Sequence, residues 1–235
     1  MNLLLIGINP KIKDILVSSL LPKGFPVYSF DFNDDILGII QKKEINVAFI
    51  DVDGGSGLIS YLNLIKQVKE RKVSVIVHTE HTNESEIKVL IENGVTAYIA
   101  KTPKTTEDIK KFLQILMKYV PKQEQRKALR VKIEKEDNVT LSFTIPNTNR
   151  LIKGTVIELS YLGMLYKFDN PADMGYIKQG DVLSKIVLNA GSKRAVTDVE
   201  IIMTKGEYVG AKFIDHNDTI KAILIKYIYE KMSKL

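Results

Sequence analysis

Two arginines four residues apart, Arg126 and Arg130, stand in a run dense with basic side chains. On a helical turn that spacing puts both on one face, and around an anion it sets them side by side. The guanidinium fork suits either arrangement, because its fixed donors grip a phosphate or a guanine edge through paired hydrogen bonds. A solvated charged connector has the same composition, so the pair alone leaves both readings open. Further on, Glu158-Leu159-Ser160-Tyr161-Leu162-Gly163 places a hydroxyl and a glycine at a corner between two alternating apolar runs.

A second group of reactive side chains lies in the first half. Asp51, Thr79 and Lys101 each stand at or just beyond the end of a short apolar run, which offers a carboxylate, a hydroxyl and an ammonium. His78 and His81 have a spacing of three, but no third ligand or thiolate accompanies them. They read as surface loop histidines, and no metal is expected. The run Gly54-Gly55-Ser56-Gly57 lacks the Lys and Ser or Thr of a phosphate-binding loop. No nucleophile with a base beside it can be assembled, so no catalytic residue and no enzymatic activity are expected.

The elements that must position these groups change character along the chain. In the first half, apolar runs alternate with amphipathic stretches: 2–8 then 10–20, 26–30 then 34–41, 47–51 then 58–69, 73–77 then 84–93, and 97–99 then 105–119. Five strand–helix alternations predict a doubly wound parallel sheet of the flavodoxin-like type. From Val139 the period becomes two. Strands are predicted over 139–144, 151–159, 164–168, 182–188, 195–203 and 208–214, with turn clusters between them. Six strands in hairpin order predict a small antiparallel barrel or sandwich. After Asn217 the period is helical again, and the stripe from Ile220 to Met232 reads as a lid on the barrel or as a dimer contact.

Composition bounds the function classes. At 235 residues the chain supports one large domain or two ordinary ones, and it contains no cysteine, which fits a reducing cytoplasm. No apolar run reaches the length of a membrane helix, and the N-terminal residues do not form a signal peptide, so a cytoplasmic protein without membrane insertion is expected. The net charge of +6 is uneven: 15 basic against 14 acidic residues through 120, then 19 against 14. The segment 122–135 holds six basic and two acidic residues, a local patch suited to an anionic ligand. No helix-turn-helix pattern accompanies it, which argues against nucleic acid as the partner.

With Arg126 and Arg130 matching R-x-x-x-R, and Ser160 and Gly163 matching the last two fixed positions of [D/N]-x-S-x-x-G, the second half resembles the PilZ domain. The strand order, the segment 209–213 and the terminal helix extend the resemblance over 123–235. It implies a six-stranded β-barrel that binds cyclic di-GMP through Arg126, Arg130, Ser160 and Gly163. Glu158 stands where the family has Asp or Asn and is a further candidate contact. The first half looks like a response-regulator receiver domain, with Asp51 at the phospho-acceptor position and Thr79, Tyr98 and Lys101 at its companions. Gly7-Ile8-Asn9 replaces the acidic residues that hold Mg²⁺ in that family, so this half is read as a pseudo-receiver with a vestigial, inactive acceptor site.

The expected organisation is a receiver-like domain over 1–120, a basic linker over 121–135 and a PilZ-like barrel over 136–235. The resemblance implies a non-enzymatic cyclic di-GMP receptor whose ligand, bound at the junction, reorients the two domains, while the receiver-like half docks a protein partner. The alternative is a scaffold that binds motility, pilus or secretion proteins without nucleotide.

Overall fold

The computed structural model describes residues 1–54, 57–119, 128–145, 149–214 and 217–234. It divides into two compact units, Met1–Lys127 and Ala128–Leu235, taken in turn below.

In the first unit, β1 (Leu3–Ile6), β2 (Val27–Phe30), β3 (Val47–Asp51), β4 (Ser74–Thr79) and β5 (Ala97–Ala100) form one parallel sheet in the order β2-β1-β3-β4-β5. Every residue of β1 and β3 is buried, as expected of strands covered on both faces, and this is why their sequences run apolar without alternation. The crossovers are α1 (Pro10–Leu20), α2 (Ile36–Lys42), α3 (Gly57–Glu70) and α4 (Glu84–Glu92), and α5 (Thr105–Leu116) closes the unit. Local chemistry starts these helices. Asn9 accepts the Lys11 amide ahead of Pro10, and Asn83 accepts the Glu86 amide with two acidic residues in the turn that follows. The expected doubly wound sheet is therefore present, and its strand ends bring Asp51, Thr79 and Lys101 to one rim.

The second unit is a closed antiparallel barrel. It opens with β6 (Arg130–Lys132) and continues with β7 (Thr140–Thr144), β8 (Leu151–Ser160), β9 (Gly163–Phe168), β10 (Val182–Ala190), β11 (Lys193–Lys205) and β12 (Tyr208–Phe213). The ladder runs β8-β7-β10-β11-β12-β9 and returns to β8 through the β8–β9 pairing, so six strands form the ring. The ten-residue β8 is long enough to be shared: its first half pairs with β7 and its last three residues pair with β6. Inward side chains such as Leu141, Phe143, Val156, Tyr166, Ile186 and Val199 fill the interior. The Tyr166 hydroxyl is buried there without a hydrogen bond, and burial raises its pKa.

The expected barrel and terminal helix are thus both observed, with one addition. The strand β6 falls inside the stretch read from sequence as a basic linker. Its residues do alternate: Val131 and Ile133 are buried, while Arg130, Lys132 and Glu134 face solvent. Helix α6 (Asp218–Lys234), capped by Asn217, buries Ile220, Ile223, Leu224, Ile228 and Met232 and packs on β6, β8 and β11. Burying such a side chain is worth roughly 1.5–3 kcal/mol, so this face fixes the helix more than its intrinsic propensity does. Lys231 ties its last turn to Asp137, and the nearby Tyr227 hydroxyl, buried and facing Asp137, has its pKa pushed up to about 12. Among the described residues no helix is long and apolar enough to cross a membrane.

Candidate functional site

In the barrel, backbone pairing sets the geometry. Arg130 is the register partner of Ser160, Val131 of Leu159 and Lys132 of Glu158. Arg130 and Glu158 are therefore diagonal neighbours on one face. The Arg130 Nη1 lies 3.9 Å from Glu158 Oε2, and the two side chains are 73% and 41% exposed. At that separation and exposure the pair is a loose surface contact worth at most about 1 kcal/mol, so the guanidinium remains available to a better acceptor.

The corner between β8 and β9 is held by its own residues. Ser160 Oγ accepts the Gly163 amide at 3.1 Å and lies 3.0 Å from the Gly163 carbonyl, to which it donates. The structure gives the reason for glycine at position 163. A Cβ there would stand 2.3 Å from the Ala211 carbonyl oxygen of β12, closer than any side chain tolerates. Gly163 is thus a point of close strand approach rather than a left-handed residue. Of the residues expected at the site, Arg130, Glu158, Ser160 and Gly163 are brought together around the β6–β8 rung. Arg126 lies outside the described residues.

In the first unit the rim holds a dense ionic cluster. Lys101 Nζ is 2.8 Å from Asp51 Oδ1 and 2.7 Å from Asp53 Oδ2. Asp53 also accepts the Thr79 hydroxyl at 3.0 Å and the Glu80 amide at 2.6 Å, while its own amide donates to Asp51 Oδ1 at 3.1 Å. Burial raises the Asp51 pKa, but the His78, Lys101 and Asp53-amide contacts outweigh it and hold the carboxyl below its ordinary value. Burial lowers the Lys101 pKa, and the two carboxylates more than reverse that, so its net shift is upward. At the end of β1, Gly7 and Ile8 bring no carboxylate, and Asn9 is engaged in capping α1. Among the described residues no group of three His, Cys, Asp or Glu is arranged to hold a metal.

His78 departs from the expectation of a surface loop. It is a β4 residue, the register partner of Asp51, and only 3% exposed. Its two nitrogens face Asp51 at 3.6 Å and Asp108 of α5 at 3.5 Å, just beyond hydrogen-bond reach, so the contact is electrostatic. Asp108 is satisfied instead by the amide and hydroxyl of Thr102. Asp108 and the clamping role of Asp53 were not legible as site features, because each depends on which strand ends become neighbours. His81 is the more exposed histidine of the two, half-buried near Asp53 and Glu86.

A family model described as TP_0454_C, C-terminal domain, matches residues 138–227. No curated protein matches the chain. Among solved structures, the PilZ domain with c-di-GMP of YcgR from Escherichia coli is similar at 16% identity and a TM-score of 0.40, over 47% of this chain and 93% of that one. The K. pneumonia MrkH–c-di-GMP complex is similar at 15% identity and a TM-score of 0.41, over 48% of this chain and 55% of that one, so the chain spans about half the length of MrkH. An atypical orphan response regulator protein, described as having a phosphorylation-independent regulatory mechanism, is similar at 18% identity and a TM-score of 0.41, over 51% of this chain and 98% of that one. The fold assignment rests on the strand order and pairing described above.

Proposed function

We propose that the protein is a cytoplasmic, non-enzymatic receptor for cyclic di-GMP, with Arg126 and Arg130 as the ligand-gripping residues. The observation that carries this reading is the Arg130–Ser160 rung, which sets an outward-facing guanidinium beside the Ser160–Gly163 corner. Two arginines at this spacing supply paired donors for a dinucleotide's phosphates and guanine edges. The corner presents a compact backbone surface against which a flat base can rest. The PilZ motifs in the sequence support the choice of ligand. On this reading, ligand held by both arginines changes the orientation of the two units, and the receiver-like unit carries that change to a protein partner.

Calorimetric titration with cyclic di-GMP, beside cyclic di-AMP and GTP, tests the reading. Micromolar or tighter binding of cyclic di-GMP alone is expected, with a change in the small-angle scattering profile on saturation. Absence of binding at concentrations well above that range would rule it out.

One observation favours a second reading. Glu158 stands where the PilZ motif has Asp or Asn, and its longer side chain lies 3.9 Å from the fork of Arg130. A barrel impaired in this way would serve as a scaffold for motility, pilus or secretion proteins without nucleotide. Such a chain would retain a protein partner in the presence of Arg130→Ala.

A further inference from the structure

Three donors converge on one carboxylate at the rim of the first unit. The Lys101 ammonium, the Thr79 hydroxyl and the Glu80 backbone amide reach Asp53 at 2.7, 3.0 and 2.6 Å. The donors are set in advance. Thr79 Oγ1 accepts the His81 amide at 3.0 Å, which turns its hydrogen toward Asp53, and the Lys101 amide donates to the Thr79 carbonyl at 2.8 Å. A positive charge, a hydroxyl and an amide aimed at one point are what a small oxyanion requires. The acceptor that fills them is covalently tethered, two residues beyond Asp51. Its own amide is bound to the Asp51 carboxylate, and the next carbonyl, of Gly54, is held by the Tyr61 hydroxyl at 2.6 Å.

The geometry points to an oxyanion-binding site formed by Thr79, Glu80 and Lys101 that the chain occupies with its own Asp53 carboxylate. Tethering gives the internal ligand an effective concentration of millimolar or more, so ordinary concentrations of phosphate or carboxylate in solution do not displace it. The unit is thereby kept permanently in its anion-filled arrangement, and the Asp51 carboxylate beside it is shielded. Asp53 then acts as a built-in substitute for a signal. This inference concerns the first unit alone and does not depend on the nucleotide reading of the barrel.

The test uses the full chain with Asp53→Ala. Inorganic phosphate and formate are titrated against sodium chloride at matched ionic strength, and the Glu80 and Lys101 amides are followed by nuclear magnetic resonance. The variant is expected to show saturable shifts at those amides with either oxyanion and not with chloride. The parent is expected to need at least about ten-fold more anion for any response. Adding Thr79→Val to the variant should abolish the response. Should Asp53→Ala fail to fold, Asp53→Asn, which keeps an acceptor for the Thr79 hydroxyl and the Glu80 amide, undergoes the same titration. Equal responses in parent and variant, or a folded variant whose Glu80 amide ignores both oxyanions, would overturn the inference.

Discussion

Arg130 and Ser160 are register partners across the antiparallel β6–β8 pair, joined by main chain rather than by side chains. The side chain at 130 can therefore be changed without dismantling the rung. Arg130→Ala is expected to lower cyclic di-GMP affinity at least ten-fold, because a charge-assisted contact is worth roughly 1.5–3 kcal/mol. Stability should stay within about 0.5 kcal/mol, as for other exposed substitutions. Arg130→Lys should restore little, since a point charge does not reproduce the fork. Calorimetry and thermal melts on the same samples separate the two effects.

Glu158 tests how far the site is impaired. Removing its charge while keeping its size, in Glu158→Gln, should raise cyclic di-GMP affinity by up to about five-fold, the scale of one loose surface ion pair. Glu158→Asp draws the carboxylate back from Arg130 and should act in the same direction. A loss of affinity in both variants would show that Glu158 itself contacts the ligand.

Gly163 makes a prediction about stability. The added methyl of Gly163→Ala meets backbone rather than a flexible side chain, and β12 must move to admit it. A cost of roughly 1–3 kcal/mol is expected, in line with overpacking elsewhere, and it should appear as a lower denaturation midpoint in urea. Gly191→Ala is a contrast of another kind: open space surrounds it, but its positive φ strains any side chain. Its cost should be the smaller of the two, about 1 kcal/mol.

The acid limb of stability should report the rim cluster. Asp51 and Asp108 have folded-state pKa values below the ordinary carboxylate value of 3.8. A depressed carboxylate contributes stability that is full above its unfolded pKa and is lost as pH falls through the folded one. Denaturation midpoints should therefore be level with respect to these two groups near neutrality and fall below about pH 4. Asp51→Asn should make that fall shallower. An unchanged acid slope in the variant would remove Asp51 from the account.

What could be read from residues alone divides along physical lines. Strand and helix periods are local, so the alternations of the first half and the six barrel strands were legible. The short β6 was not, because a three-residue strand with charged side chains at both ends looks like a solvated connector until Val131 and Ile133 are seen to find a core. The spacing of Ser160 and Gly163 was readable as a motif, yet the reason for the glycine lies in β12, far along the chain. His78 looked exposed because polar residues follow it in sequence. Its burial follows from the parallel register that sets it beside Asp51. The donors to Asp53 come from a strand end, the residue after it and the start of a third loop, a convergence no spacing announces.

The ring of the barrel closes through β7, β9 and β8 without any help from β6. The arm bearing Arg130 is thus a hem stitched to a finished cylinder, pinned by Val131 and Ile133 yet not needed for the ring's own ladder. Amide exchange should be fast at 130–132 and slow at 154–159, and a ligand that grips the arginine should slow the hem alone.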